Sequence, residues 1–401
     1  MPAAGALVQP GFGTIFLRSI LPLCAVLAFA LFMQGVAKPW LAPFHAKVVI
    51  DIGIAIIAAV SLNLVNGLTG QFSMGHAGFM AVGGYFGAAI TYYGSFRLFG
   101  DASFRGGWVS WALATEHFTG GAIASGDFLF LAACIVGGLA AAALGYVVAL
   151  PSLRLRGDYL AIVTLGFGEI IRVLLTQTND VLATAEEVRN TPLWRLPLHL
   201  GGALGFSSAV GIPSYASHFW VALWVGVVIL VSIRLKRSSS GRALLAIRED
   251  EIAAEAMGVN TTGYKVRAFV ISAFFAGVAG CLFAHVIGTT LNPKELGFQK
   301  SFDIIIMVVL GGMGSVSGAV IAAIILTVLP EVLRDFNSYR MIIYALALIL
   351  MMILRPKGLF GVNEVWEIAP VRRLLRRLGL GGPRPPKKSI GSGARRERGA
   401  P

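Results

Sequence analysis

The sequence predicts an all-α protein, a polytopic transmembrane helical bundle of roughly 8–10 membrane segments that include short or re-entrant helices. Composition is the first observation. Of 401 residues, 56% are hydrophobic and only 13% charged, where a soluble chain carries about 25% charge. The second is length: several apolar runs approach or pass the roughly 18 residues that span a bilayer. The third is where the charge sits. The net charge is +13, and the basic residues gather at the ends of apolar runs and in the C-terminal tail. Orientation in a membrane produces that pattern, so nucleic acid is not needed to explain it. Cys24, Cys134 and Cys281 each lie inside an apolar run without CxxC spacing. They are expected to be small buried side chains, neither a disulfide set nor a metal site.

The candidate spans are 15–37, 48–66, 73–93, 128–150, 159–175, 218–235, 266–290, 302–329 and 340–354. The first has no small-residue cleavage site followed by a soluble domain and is read as a retained span. Basic clusters at Arg154/Arg156, at Arg234/Lys236/Arg237/Arg242 and from Arg355 onward are expected in the cytoplasm. Both termini then lie inside, and 38–47, 94–127 and 176–217 outside. A single crossing by 302–329 would carry the basic tail out. Parity is restored if that run is a hairpin turning at Gly311–Gly318, with arms of about 10–12 residues, or two short spans. One long, tilted, glycine-rich helix is the competing reading. Residues 1–361 read as the transmembrane core and 362–401 as a basic tail, with a surface helix over 364–378 and a disordered segment over 379–401 on anionic lipid.

One stretch departs from the greasy surroundings. Residues 236–263 hold Arg242, Arg248, Glu249, Asp250, Glu251 and Glu255 within little more than one dozen positions. Ala and Leu dominate the remainder, so helix propensity is high. Ser239 or Ser240 is expected to cap the start, Asp250 to act as an internal N-cap, and Gly258 to end the segment in a left-handed turn. Two short helices, 241–249 and 250–257, follow. In the second, Ile252, Ala253, Ala256 and Met257 make a narrow stripe beside Glu251 and Glu255. Such a stripe suits another protein's cleft better than a core. A solvated helix on the membrane surface is the alternative.

Two further stretches carry polar groups into apolar surroundings. Between 61 and 91, glycines 67, 70, 75, 78, 83, 84 and 87 accompany Asn63, Asn66, Gln71, Ser73 and His76. Small residues let helices approach in lipid, and glycines let a helix break and expose backbone at membrane depth. The stretch therefore fits either a translocation path, lined by Asn63, Asn66, Gln71, Ser73, Gly75 and His76 together with Glu169, Gly312 and Gly314, or tight packing with satisfied polar groups. Glu169 and Arg172, three apart on a helix, are positioned to pair. Catalytic patterns are absent: the sequence has no G-x-x-x-x-G-K-[ST], no H-E-x-x-H and no G-x-S-x-G. No catalytic residue, metal site or ATP site of its own is expected.

These stretches resemble the permease subunits of ABC importers for branched-chain amino acids. The resemblance rests on four stretches, Asn63–Gly87, Leu153–Arg172, Gly241–Asn260 and Gly311–Gly318, with Arg355-Pro-Lys-Gly-Leu-Phe-Gly361 closing the core. It implies a coupling motif for separate ATPase subunits at Gly241, Arg242, Arg248, Asp250, Glu251, Ala253, Ala254, Glu255 and Gly258. It also implies a second homologous permease, two cytoplasmic ATPases that use the ATP, a periplasmic substrate-binding protein and a site in the cytoplasmic (inner) membrane. No cofactor is bound by this chain and no nucleic acid is involved. Family cargoes range over branched-chain and other amino acids, short amides and urea; the lack of deep charged pockets in the sequence fits an apolar cargo. The rival is a self-contained secondary transporter or channel. It would need ion-coupling carboxylates, for which only Asp51, Glu169 and Asp303 lie close to the spans.

Overall fold

The computed structural model describes residues 12–111, 121–152, 158–207, 211–288, 290–334, 339–354, 358–359, 361 and 364–365. All but the first two residues of the surface helix expected over 364–378, the disordered segment expected over 379–401, and the Arg154/Arg156 turn lie outside the described residues. Helices make up nearly everything else. The membrane-length elements are α1 (Phe12–Phe32), α3 (Pro43–Asn66), α4 (His76–Phe99), α5 (Ser125–Ser152), α6 (Asp158–Thr176), α8 (His218–Arg237) and α11 (Thr261–Ile287). Among the described residues, five helices meet the length and apolarity that a crossing needs. A three-residue turn, α2 (Lys38–Trp40), and a short α7 (Ala185–Asn190) lie in connections. Strands are reduced to β1 (Phe206–Ser207) and β2 (Thr290–Leu291), paired antiparallel.

The core is the crossing of α4, α5 and α11, and glycine makes it possible. A Cβ on Gly83 of α4 would lie 2.1 Å from the Gly277 carbonyl of α11, and one on Gly280 would lie 1.8 Å from the Met80 carbonyl. On α5, a Cβ on Gly137 would lie 2.8 Å from the Gly83 carbonyl. In lipid no hydrophobic drive joins helices, so this backbone approach supplies the van der Waals contact that holds them. α1 packs by one side on α8, which leaves Cys24 exposed rather than buried as its apolar run implied. Cys134 and Cys281 are buried free thiols, with Cys134 Sγ donating to Cys281 Sγ at 3.6 Å.

Three segments break the regular pattern. The chain leaves α3 at Gly67 and runs as coil through 70–75 before α4 begins. It is coil again from 312 to 315, between α12 (Phe298–Gly311) and α13 (Val316–Val332). The third is the two-helix excursion α9 (Ser239–Glu249) and α10 (Glu251–Ala256), which joins α8 to α11. The chain leading into α12 is anchored in the bundle: Tyr85, in the middle of α4, donates to the Leu291 carbonyl of β2 at 2.7 Å, and Glu169 of α6 accepts the Phe298 N–H that opens α12. The far end of α12 lies at another level and meets the last turn of α3, where Asn63 Oδ1 accepts the Gly314 N–H at 2.9 Å and Asn63 Nδ2 donates to the Ser315 carbonyl at 3.1 Å.

This geometry decides between the readings of 302–329. The run is not one tilted helix, and its arms are longer than expected, 14 and 17 residues, or about 21 and 25 Å. Its turn does not sit halfway through the bundle. It lies at the α9/α10 end, beside Asn63. The run doubles back as two helices about the glycine turn, as the hairpin reading expected, with that turn at one end of the bundle. Past α13 the chain reaches the opposite end, where Arg334 stacks on the Phe44 ring at 5.1 Å. Then α14 (Arg340–Leu354) brings it back, and Leu359 donates to the Leu310 carbonyl at 2.8 Å. Glu364, beyond the expected core boundary at 361, is buried against the 312–317 turn.

Candidate functional site

The excursion forms as the local sequence dictates. Asp250 ends α9 in extended backbone, and its Oδ1 accepts the N–H groups of Ile252 and Ala253 at 2.9 and 3.0 Å, the capping expected of it. The outer cap differs from expectation. Ser238, one residue earlier than Ser239, accepts the Gly241 N–H at 3.1 Å. Gly241 must be glycine for proximity: its Cβ would lie 2.0 Å from the Leu235 carbonyl. Gly258 ends the unit at a φ of +83° with open space around it, so only its left-handed backbone selects glycine.

The unit presents one apolar face and holds on by the other. Leu244 and Ile247 of α9 and Ala254 of α10 are buried, whereas Ile252 is 68% and Met257 84% exposed. Ala253, Glu255 and Ala256 are exposed beside them, so the stripe expected on α10 is an unpartnered surface. Arg242 stays close to its own helix, donating to Ser239 Oγ at 3.0 Å. Glu251 points inward and pairs with Lys265 of α11 at 2.6 Å, where the lysine side chain is only 7% exposed.

Arg248 connects the excursion to both helix breaks. Its Nη1 donates to the Gly67 carbonyl at 2.7 Å and to the Met313 carbonyl at 3.3 Å. Those carbonyls belong to the two coil segments that interrupt the bundle. A second brace lies beneath. Lys236 Nζ donates to the Gly314 carbonyl at 2.7 Å and to Glu364 Oε1 at 2.6 Å. The Glu364 carboxylate also accepts the Val316 and Ser317 N–H groups at the start of α13, where helix-end N–H groups favour an anion. Burial alone would raise this carboxyl; the bonds from Lys236 and Ser317 outweigh it and hold it below its ordinary 4.5. Nothing in its sequence context marked Glu364 for this role, because its partners are more than 40 residues away.

The polar candidates of 61–91 are mostly satisfied at the first break. Asn66 Oδ1 accepts the Ser73 N–H at 3.1 Å, and His76 Nε2 is 2.8 Å from Ser61 Oγ. The Gln71 side-chain oxygen is buried without a partner among the described residues. Gly75 packs so closely on α6 that a Cβ would lie 2.1 Å from the Thr164 carbonyl. Glu169 pairs with Arg172 at 2.6 Å, as their spacing implied, and also accepts the Phe298 N–H that opens α12. Gly312 and Gly314, at φ of +104° and +94°, shape the second break. Asn63, Asn66, Ser73, Gly312 and Gly314 thus come together at one end of the bundle, while Glu169 stands apart on α6. None of the nine path candidates, which also include Gln71, Gly75 and His76, lines the cleft of about 650 Å³ that opens along α3, α12 and α13. That cleft carries Lys47, Asp51, Glu295, Lys300, Asp303 and Glu331, so the expectation of no deep charged pocket is overturned. The six residues come from three helices and the turn that precedes α12, and no single stretch of sequence displays them together.

A bundle of apolar helices broken at two buried coil segments, both tied by one arginine to an amphipathic excursion at the same end, defines a multi-pass membrane transport subunit. Residues 45–354 match the family described as branched-chain amino acid transport system / permease component. The chain is 38% identical to the high-affinity branched-chain amino acid transport system permease protein LivM of Salmonella typhimurium, over 78% of this chain and 68% of that protein. Identity to the Escherichia coli LivM is 37%, over 84% and 74%. To the Salmonella typhimurium LivH, a permease protein of the same name series, it is 25%, over 78% and 92%. No solved structure matches. The chain belongs to the branched-chain amino acid permease family.

Proposed function

We propose that this chain is one of two permease subunits of an ATP-driven importer in the cytoplasmic membrane. It carries branched-chain or related amino acids, as the names of its relatives say of them. Two separate ATPase subunits dock on α9 and α10 and hydrolyse the ATP; this chain has no ATPase site of its own. An external binding protein delivers cargo to the opposite end. The observation that carries the reading is the exposed Ile252–Met257 face of α10, on a unit whose Arg248 grips both helix breaks. Its small residues, Ala253 and Ala256, let a partner surface come close, and Glu255 and Arg242 give charged rims. A rigid shift of the docked unit would move the Gly67 and Met313 carbonyls together, changing the packing of α3, α4, α12 and α13 in one step.

Both chain ends then lie in the cytoplasm, with the basic residues that follow Val365 drawn to anionic lipid. The test is gentle solubilisation of native membranes with a tagged chain, followed by reconstitution. Co-purification of an ATPase and ATP-driven L-leucine uptake into vesicles support the reading. A chain that purifies alone and moves solute without ATP overturns it in favour of a self-contained transporter.

A further inference from the structure

The cleft along α3, α12 and α13 holds an unusual set of charges for its position. Lys47 and Asp51 stand on the first three turns of α3, Glu295 in the turn before α12, Lys300 and Asp303 on the first turns of α12, and Glu331 near the end of α13. Lys47, Lys300 and Glu331 all lie within electrostatic reach of Asp51, and Lys300 within reach of Asp303. The four ion pairs among the described residues are Arg105–Asp101, Arg172–Glu169, Lys236–Glu364 and Lys265–Glu251. None joins members of the cleft. The Thr327 hydroxyl beside them is also buried without a partner among the described residues. Lys300 leans over the Phe283 ring, 5.2 Å from its centroid.

Charges on membrane-spanning helices are costly when left against lipid, so a cleft that keeps both signs unpaired is built to meet charge of both signs. Its volume, about 650 Å³, falls in the usual range for small ligands, about 300–1,000 Å³. The deeper wall is apolar: Ile54 and Ala58 of α3, Met80 of α4 and Met307 of α12. Methionines adapt to apolar groups of differing shape.

We propose that this cleft is the cargo station of the permease and takes a free α-amino acid by its zwitterionic head group. The cargo ammonium meets Asp51 and Glu331, its carboxylate meets Lys300 and Lys47, and its side chain lies along Ile54, Ala58 and Met307. The inference rests on the importer reading above and adds where in this chain the cargo is held. The head group is the part that all α-amino acids share, so the cleft is permissive among side chains of similar size, and selection among them falls to the delivery protein.

The test uses the assembled complex. Asp51→Asn and Lys300→Gln each remove one charge with little change in shape. Each is expected to lower ATP-driven L-leucine uptake about tenfold or more, with the second permease and the ATPases still co-purifying. Asp51→Glu is expected to retain most of the uptake. Unchanged uptake in Asp51→Asn and Lys300→Gln overturns the proposal. So does loss of the second permease from these variants, which would mean that the charges pair across a subunit interface. A second measurement does not depend on delivery. In a Cys24→Ala background, Gln299→Cys, at an exposed position on the cleft wall, is alkylated with a charged thiol reagent in detergent. L-leucine is expected to slow labelling, while 4-methylpentanoate and 3-methylbutylamine, each carrying half of the head group, do not. Equal slowing by all three, or none by leucine, overturns the proposal. Failure of the unaltered complex to transport at all would instead bring down the importer reading.

Discussion

Replacing Arg248 with alanine tests how the outer unit is joined to the membrane helices. The side chain makes two bonds, to the Gly67 and Met313 carbonyls, from one guanidinium nitrogen. A hydrogen bond from a charged donor contributes about 1.5–3 kcal/mol. Arg248 is half-exposed, and solvent screening reduces the contribution to about 1–2 kcal/mol. Loss on that scale changes an equilibrium by a factor of about 5–30. The bundle is held elsewhere, by the glycine crossings of α4, α5 and α11, so Arg248→Ala should insert and assemble. The loss falls on transmission, because both contacts run from the excursion to a helix break. Reconstituted vesicles report this when L-leucine uptake and ATP hydrolysis are measured together. The ratio of leucine moved to ATP hydrolysed should fall several-fold in Arg248→Ala, with part of it restored in Arg248→Lys. An unchanged ratio in Arg248→Ala would refute the reasoning, since the joint would then carry no work.

Other outcomes follow from the same geometry. Glu251→Ala leaves Lys265 charged and nearly buried, which costs about 3–5 kcal/mol in a fully buried pair and less here, because Glu251 is 30% exposed. Adding Lys265→Met should recover much of the lost thermal stability, and a double variant no more stable than the single one would contradict the pairing. Gly280→Ala places a Cβ against the Met80 carbonyl; overpacking typically costs about 1–3 kcal/mol, so folded yield and melting temperature should drop, whereas Gly166→Ala, with open space around it, should change neither. Glu364 sits below its ordinary 4.5 when folded. Its contribution is therefore complete above the unfolded value and is lost as pH falls through the lower folded one. Melting temperature should decline on acidification below 4.5 more steeply in the unaltered protein than in Glu364→Gln, and parallel curves would count against the clamp.

The parts of this protein legible in its sequence are those set by local patterns. Apolar length gave the helices, and the Asp250 cap and Gly258 end gave the two-helix excursion. The glycine run at 311–318 gave a break, because such a stretch does not hold a helix together. Depth was not legible. Whether the break turned halfway or at one end depended on Tyr85, Asn63 and Arg334, whose partners are distant in sequence. The polar residues of 61–91 looked like a path because unsatisfied polar groups are expensive in lipid; in three dimensions most of them satisfy one another and close the first break. The charged cleft was legible only in its carboxylates Asp51 and Asp303, which lie near span ends, and not as a cluster. Lys47, Asp51 and Lys300 each sit close to a helix start, where a charge is ordinary, and only the packing of α3, α12 and α13 gathers them.

The central claim is that α10 is the surface on which an ATPase sits. Placing a photo-crosslinking residue at Met257, which is 84% exposed, asks this in native membranes. The account predicts one dominant adduct with an ATPase subunit, whose yield changes when nucleotide is added. Adducts with lipid alone, in a chain that still transports, would contradict it.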